Sequence, residues 1–263
     1  MTRRKVMAVT LILVISISIP LEAFTRHAPN SADVEREIER LQSGSPKQKI
    51  HAIQKLAEMG SSAASSVPYL IELIDSNEKY ETLWDKLGNM ISVLGTSGRY
   101  VMFESQLALV RIGKPAVEPL SVALLSHPRP RVRENSAILL GKMKDKESIG
   151  QLIMALKTDK SCQVRMWSAE ALGKMAETWS INSLDNAVQA LIEALRDSDS
   201  NVRQKSAYAL GNMKAMAAVP ALIEALQTCG KDCDAGLALF MITGQRLGDD
   251  SQKWREWYEN QKR

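Results

Sequence analysis

A helical pattern of apolar and polar residues repeats three times from the middle of the chain onward. The three copies are the segments 132–143, 164–175 and 202–213. In each copy, small or apolar residues follow the initial valine at spacings of four, five, eight and eleven residues. These spacings place them on one face of an α-helix. The pattern therefore predicts three copies of one amphipathic helix.

A second helix is predicted after each copy. Ile149, Val188 and Val219 each open a run in which apolar residues follow at i+3, i+4 and i+7, which is again the helical period. Looser copies of the run follow Gly60 and Gly113. The predicted unit is thus a helix pair, and about five pairs follow one another. Such self-similarity is typical of solenoids, in which neighbouring units bury each other's apolar faces.

The first helix of each pair resembles a known repeat. The string Val-Arg-x-x-Ser-Ala-x-x-Leu-Gly recurs in all three strong copies, from Val132, Val164 and Val202. It resembles the HEAT repeat, and more narrowly its PBS-lyase-like subclass, over residues 46–228. The resemblance implies an all-α fold, an α-solenoid of antiparallel helix pairs that stack into a superhelix.

The resemblance also implies a structural ladder between repeats. Asp159 precedes Arg165 by six residues, and Asp197 precedes Arg203 at the same spacing. A guanidinium group can bind a carboxylate with two parallel hydrogen bonds, so such pairs can bridge stacked turns. The third copy departs from this pattern, because His127 stands where an aspartate would precede Arg133.

The N-terminal segment reads as a targeting signal. Arg3, Arg4 and Lys5 precede an apolar run, and Ala23 closes a plausible cleavage site before Phe24. This order is typical of a secretory signal peptide, so we expect a periplasmic or secreted protein. Retention as a membrane anchor is the alternative, and the chain would contact a membrane only in that case.

The remaining boundaries follow from where the repeat pattern starts, lapses and stops. The predicted regions are a signal peptide at 1–23, a linker at 24–32, a capping helix at 33–45, HEAT-like repeats at 46–228 with insertions at 75–100 and 177–185, and capping helices at 229–263. In the last region, Trp254 and Tyr258 lie four residues apart, on one side of a helix. They fit a cap over the last repeat, with an aromatic ligand-binding cluster as the alternative.

Three tryptophans are candidates for contact with a partner: Trp84, Trp167 and Trp179. Trp84 and Trp179 lie in the two insertions, and insertions in repeat proteins often serve binding. Trp179 could instead fold back onto the repeats. Trp167 occupies a position that its sister repeats fill with Asn135 and Lys205, which suggests that it points outward. Aromatic residues are frequent hot spots of interfaces.

The cysteines and histidines give little sign of chemistry. Cys229 and Cys233 flank a short loop, so a disulfide is possible in an exported protein, and Cys162 would then be free or pair between chains. No histidine lies near them, which argues against a metal site. The search for catalytic motifs finds none. The net charge of +4 is too small for a nucleic-acid-binding face.

The leading hypothesis is an exported scaffold that binds an unknown protein or peptide, without catalysis and without a cofactor. Its binding surface would be the concave face, lined by the second helices. Exposed positions there are expected at Glu72, Gln151, Glu193 and Glu224. The resemblance implies one alternative, a lyase-like enzyme or accessory subunit of the chromophore-lyase type. A structural component of an envelope complex is the other alternative.

Overall fold

The computed structural model describes residues 30–80, 99–229 and 233–261. The predicted signal peptide, most of the predicted linker, Trp84 and most of the 75–100 insertion lie outside these residues. Within them the chain is helical, apart from two-residue strands β1 (Lys79–Tyr80) and β2 (Arg99–Tyr100), which pair antiparallel. No helix of the described part is both long and apolar enough to cross a membrane.

The described helices alternate between first and second members of five pairs, flanked by capping helices. In chain order they are α1 Ser31–Ser43, α2 Pro46–Met59, α3 Val67–Leu73, α4 Val101–Ile112, α5 Val117–Ser126, α6 Pro130–Met143, α7 Ile149–Thr158, α8 Cys162–Met175, α9 Asp185–Ala194, α10 Ser200–Asn212, α11 Val219–Cys229, α12 Ala235–Thr243 and α13 Ser251–Gln261. A short 3-10 turn precedes each second helix of a pair.

The pairs stack through two rows of helices. Helices α2, α4, α6, α8, α10 and α12 pack one on the next and form the first-helix row. Helices α3, α5, α7 and α9 also pack in succession, and with α11 they form the second-helix row. Leu140, Leu172 and Leu210, which hold the same place in three repeats, are fully buried. This arrangement confirms the predicted α-solenoid of stacked helix pairs.

The recurring glycines mark close contact between neighbouring first helices. A Cβ atom added to Gly141 would lie 2.8 Å from the Cβ atom of Ala171, and one added to Gly173 would lie 2.8 Å from that of Ala209. Helices α6 and α8 continue past their glycines. The glycines therefore allow backbones to approach, and they do not end the helices.

A helix covers the repeats at each end of the described chain: α1 at the N-terminal end and α13 at the C-terminal end. Helix α1 begins at Ser31, and Asn30 accepts a hydrogen bond from the Asp33 amide at 2.8 Å. Asn30 is therefore the N-cap of this helix. At the other end Trp254 is fully buried, and its Nε1 donates to the Gly248 carbonyl at 2.8 Å. Because Trp254 is buried within the chain, the role of the terminal helix as a cap is favoured over an aromatic ligand-binding cluster.

Candidate functional site

Two arginines each bind an aspartate in the loop that leads from their own helix pair to the next pair. Arg133 donates from Nε and Nη2 to the two carboxylate oxygens of Asp159, at 2.8 and 3.0 Å. Arg165 donates from the same two atoms to Asp197, at 2.7 and 2.8 Å. We call these contacts the rungs of the arginine–aspartate ladder. Both rungs are mostly buried, and each joins the first helix of a pair to the loop that follows its second helix.

The residue six positions before each arginine takes part in a different way. Nη1 of Arg133 donates to the carbonyl of His127 at 2.9 Å, and Nη1 of Arg165 donates to the carbonyl of Asp159 at 3.0 Å. The carboxylate of Asp159 thus binds the arginine of the pair that it follows, while its carbonyl holds the arginine of the next pair. Because the contact to the next pair uses only the backbone, the histidine at position 127 does not disturb it.

Electrostatics agree with the geometry of the rungs. The hydrogen bonds to Asp159 and Asp197 raise the pKa of Arg133 and Arg165, respectively. Burial of Asp197 acts to raise the pKa of its carboxyl group, but the hydrogen bonds from Arg165 and the Asp199 backbone outweigh it. The pKa of Asp197 is therefore lowered. The second rung is an ion pair over the whole neutral range.

Arg203 holds the third ladder position, but it has no carboxylate partner among the described residues. Its Nη1 donates to the carbonyls of Asp197 and Ser198, at 2.8 and 3.1 Å, as the other arginines do. Its Nε is buried and has no hydrogen-bond acceptor in the described part of the chain. The predicted pair of Asp197 with Arg203 is therefore a backbone contact, since the Asp197 carboxylate binds Arg165.

A groove crosses the second-helix row at α3, α5 and α7. One cavity of about 390 Å³ lies between α3 and α5. A second cavity of about 370 Å³ lies between α5 and α7. Glu118 and Val122 of α5 line both cavities, so the two adjoin each other along α5. We call this surface the second-helix groove; its other lining residues include Pro68, Ile71, Glu72, Leu125, Glu147 and Gln151.

The groove presents apolar side chains to solvent. Val122 is 59% exposed, and Met154 on the neighbouring α7 is 53% exposed. Leu125 is also exposed. Sequence reasoning missed these residues because they fall between the buried positions of their helices. The available signal was an apolar residue at a position that the helical pattern assigns to the polar face, as Val122 is beside Leu120 and Leu124.

Three of the four predicted surface positions form ion pairs across repeats. Glu72 pairs with Arg129 at 2.6 Å, Glu193 with Lys157 at 2.7 Å, and Glu224 with Arg196 at 2.8 Å. Each of these glutamates is exposed, as expected. Gln151 is instead half-buried, and its Oε1 has no hydrogen-bond partner among the described residues.

The two described candidate tryptophans both pack against the repeats. Trp179 donates from Nε1 to the carbonyl of Lys144 at 2.8 Å and lies against the core. This favours the alternative in which it folds back. Trp167 is half-buried, and the Lys205 ammonium lies 6.0 Å from its ring centre. Contact of either residue with a partner stays a prediction, as does the role of Trp84.

Cys229 and Cys233 form a disulfide that ties the end of α11 to the start of α12. Cys162 keeps a free thiol and is half-buried. No cluster of three or more potential metal-ligating side chains occurs in the described ranges.

Comparison with solved structures places the chain among helical solenoids. The complex of CpcE and CpcF of phycocyanin lyase from Nostoc sp. PCC7120 is 19% identical, covers 67% of this chain and 98% of that chain, and has a TM-score of 0.51. An engineered protein is 22% identical over 81% of this chain and 95% of its own, with a TM-score of 0.45. A designed armadillo repeat protein, solved with the peptide (KR)4, is 17% identical over 80% of this chain and 99% of its own, with a TM-score of 0.45.

At these identities the likeness shows the fold alone, and no curated protein matches the chain. The match to a protein family is more informative. The family model of HEAT repeats matches residues 91–173 and 151–237, which together make up more than half of the chain. The matched residues include α4 to α11 and the rungs of the ladder. The chain therefore belongs to the HEAT-repeat family.

Proposed function

We propose that the chain is an exported HEAT-repeat scaffold that binds a polypeptide segment in the second-helix groove, without catalysis. The observation that carries the proposal is the exposed apolar surface of Val122 and Leu125 in two adjoining cavities, with Met154 also exposed on the neighbouring α7. Second helices line the concave side in solenoids of this kind, where extended partners bind. A groove with apolar walls and a few polar groups is also the usual form of a binding site.

The charges of the groove indicate the chemistry of the segment. The charged side chains that line it are three glutamates: Glu72, Glu118 and Glu147. Glu72 and Glu147 are bound to Arg129 and Lys114, whereas Glu118 has no ion pair among the described residues. A segment with apolar side chains and a lysine or arginine would bury the apolar surface and meet the Glu118 carboxylate.

Two observations support export. The first is the order of basic residues, apolar run and small residue in the N-terminal 23 residues. The second is the disulfide between Cys229 and Cys233, because such bonds persist in oxidising compartments outside the cytoplasm. Cell fractionation tests this part: we expect the mature chain, beginning at Phe24, in the periplasm or the medium. Full-length chain in the cytosol would contradict it.

Peptide selection tests the binding function. A random peptide library displayed on phage is selected against the purified mature chain, and the affinity of the enriched peptides is measured by fluorescence anisotropy. We expect enriched peptides with apolar residues and a basic residue. Glu118→Lys should weaken their binding about tenfold or more, because a favourable charge contact becomes a repulsive one.

Glu58→Lys is the matched control for this experiment. Glu58 is exposed on α2, in the first-helix row, and the substitution changes the net charge by the same amount. We expect the control to bind the peptides as the unchanged chain does. Equal weakening by both variants would show a general charge effect, and no weakening by Glu118→Lys would contradict binding in the groove.

The alternatives each have a separate test. A chromophore-lyase-like enzyme or accessory subunit, which the PBS-lyase-like subclass would suggest, should change the absorbance of a bilin incubated with the purified chain. A passive structural component of an envelope complex should remain in that complex when Glu118 is replaced by lysine. A scaffold that binds through the groove should leave it.

A further inference from the structure

The arginine–aspartate ladder ends differently from the way it begins. Arg133 and Arg165 each use Nε and Nη2 to hold the two oxygens of one carboxylate. Arg203 stands at the same point of its repeat and makes the same two carbonyl contacts through Nη1. Its Nε and Nη2 form no hydrogen bond within the described part of the chain. These are the atoms that bind aspartate in the other two repeats.

The missing carboxylate partner of Arg203 is explained at the end of α11, where a cysteine stands at the position that corresponds to Asp159. In the earlier repeat, Thr158 and Asp159 follow Ala155 at three and four residues. Thr228 and Cys229 follow Ala225 at the same spacings. The hydroxyl group of each threonine donates to the carbonyl four residues earlier, and that of Thr228 also donates to the Ala225 carbonyl. Cys229 therefore corresponds to Asp159, the carboxylate of the first rung, and it is committed to the disulfide.

The cavities at Asp159 and at Cys229 differ in volume. The one that contains Arg133 and Asp159 has a volume of about 290 Å³. The one that contains Arg203 and Cys229 lies between α9 and α11 and has a volume of about 470 Å³. Its two carboxylates are already paired: Asp197 with Arg165, and Glu224 with Arg196. The positive charge of Arg203 is therefore not balanced by another side chain that lines this cavity.

We propose that Arg203 receives an aspartate side chain from a bound polypeptide, which completes the last rung of the ladder from outside the chain. The proposal rests on the proposed function for the nature of the ligand, a polypeptide on the second-helix row. Its chemistry is that of the two internal rungs, in which a guanidinium group binds a carboxylate, and the accessible donor for an external carboxylate is Nη2, since Nε is buried. Together with the acidic groove at α3 to α7, it would fix the direction in which a segment binds, with its basic residue near Glu118 and its acidic residue at Arg203.

A small probe tests the site without any partner. The probe is N-acetyl-aspartate amide, which carries one side-chain carboxylate, and N-acetyl-asparagine amide is its uncharged control. Binding is followed by the NMR signal of the Arg203 Nε–H group, which is assigned by its loss in Arg203→Gln. We expect a saturable shift with the aspartate probe and none with the asparagine control. No saturable shift with the aspartate probe would overturn the proposal.

A third probe separates the two sources of a carboxylate. N-acetyl-alanine carries a free C-terminal carboxylate and no charged side chain. We expect it to bind Arg203 more weakly than the aspartate probe, because the internal rungs use side chains of aspartate. Tighter binding of N-acetyl-alanine would overturn the assignment to a side chain and point to a free C-terminus.

A second set of variants supplies the carboxylate within the chain. Cys229→Asp with Cys233→Ser is compared with Cys229→Ser with Cys233→Ser, so both lack the disulfide and differ only in the carboxylate. The aspartate variant should melt at a higher temperature and should no longer bind the probe. In an Arg203→Gln background the difference in melting temperature should vanish. An equal melting temperature of the two variants with Arg203 intact would contradict the geometry.

One control addresses Asp232, the carboxylate of the chain that is nearest in sequence to Cys229. Asp232 lies outside the described residues, between the two cysteines. In the absence of probe, Asp232→Asn should leave the Arg203 Nε–H signal where it is. A shift would mean that Arg203 already has a partner in the chain, which would overturn the proposal. Because the probes require no groove, loss of peptide binding with intact probe binding would count against the proposed function alone.

Discussion

The first-helix row and the second-helix row of this solenoid use different residues to join the same repeats. In the first row, Gly141 and Gly173 let backbones approach until alanine side chains fill the contact. In the second row, neighbouring helices are joined by exposed ion pairs such as that of Lys157 with Glu193, and apolar side chains such as Met154 face solvent. Buried close packing contributes strongly to stability, whereas exposed ion pairs contribute little.

The difference indicates a division of roles within each repeat. Residues of the first row determine how the repeats stack, so their replacement should lower the free energy of unfolding. The buried residues of the second row, such as Leu152 and Leu191, also belong to the core, but its exposed residues are free to vary without loss of the stack, and they form the surface that a partner can contact. The predictions below compare the two rows directly.

The largest difference is expected for buried and exposed apolar side chains. Leu172 of α8 is fully buried, whereas Met154 of α7 is 53% exposed. Leu172→Ala should lower the free energy of unfolding by about 2–5 kcal/mol, because it removes buried methyl groups and leaves a cavity. Met154→Ala should change it by less than about 0.5 kcal/mol. Urea denaturation followed by circular dichroism measures both, and equal losses would contradict the division of roles.

A smaller difference is expected between a rung and a surface ion pair. Asp197→Asn removes one partner of the mostly buried rung and should cost about 1.5–3 kcal/mol near neutral pH. Glu193→Gln breaks an exposed pair and should cost no more than about 1 kcal/mol. Urea denaturation at pH 7 measures both losses. A loss for Glu193→Gln as large as that for Asp197→Asn would contradict the comparison.

The same rung makes stability depend on pH. Since the pKa of Asp197 is lower in the folded chain than in the unfolded chain, its contribution is present above the unfolded value of about 4. The contribution is lost as the pH falls through the lower, folded value. Asp197→Asn should therefore reduce the acid-side decline in stability, measured by urea denaturation between neutral and acidic pH. An unchanged decline would contradict the lowered pKa.

A final comparison concerns one glycine in each row, and the two substitutions are expected to have opposite signs. Gly173→Ala places a methyl group 2.8 Å from the Cβ atom of Ala209 and should cost about 1–3 kcal/mol through overpacking. Gly150 of the second row has no atom within 4 Å of an added Cβ atom. Gly150→Ala should therefore stabilise the chain by up to about 1 kcal/mol through helix propensity. Thermal unfolding measures both, and a stabilising Gly173→Ala would contradict close packing in the first row.

Much of the fold could be predicted from the sequence because the repeat is defined by the spacing of apolar residues over short segments. The apolar positions after Val132, Val164 and Val202 determine one helix, and those after Ile149, Val188 and Val219 determine the other. A solenoid needs little beyond contacts between adjacent repeats, so these local patterns were sufficient for the architecture.

The ladder and the groove were harder to predict. The spacing of six residues suggested that Asp159 belongs with Arg165, but its carboxylate binds Arg133, in the first helix of the pair that Asp159 follows. Which partner a carboxylate reaches depends on how the two helices of a pair pack, and no local spacing records it. Cys229 of the last repeat corresponds to Asp159, and this correspondence is visible in the sequence when Thr158 is aligned with Thr228.

Site-specific photo-cross-linking tests the central claim, that the second-helix row is the binding surface. Benzoylphenylalanine is placed at Val122 in the groove, or at Leu237 of α12, which is 46% exposed in the first-helix row. After irradiation in the native host, mass spectrometry identifies the attached polypeptide and the residues joined. Position 122 should yield one specific adduct that Glu118→Lys abolishes, and position 237 should yield none. The same adduct from position 237, or none from position 122, would contradict the account.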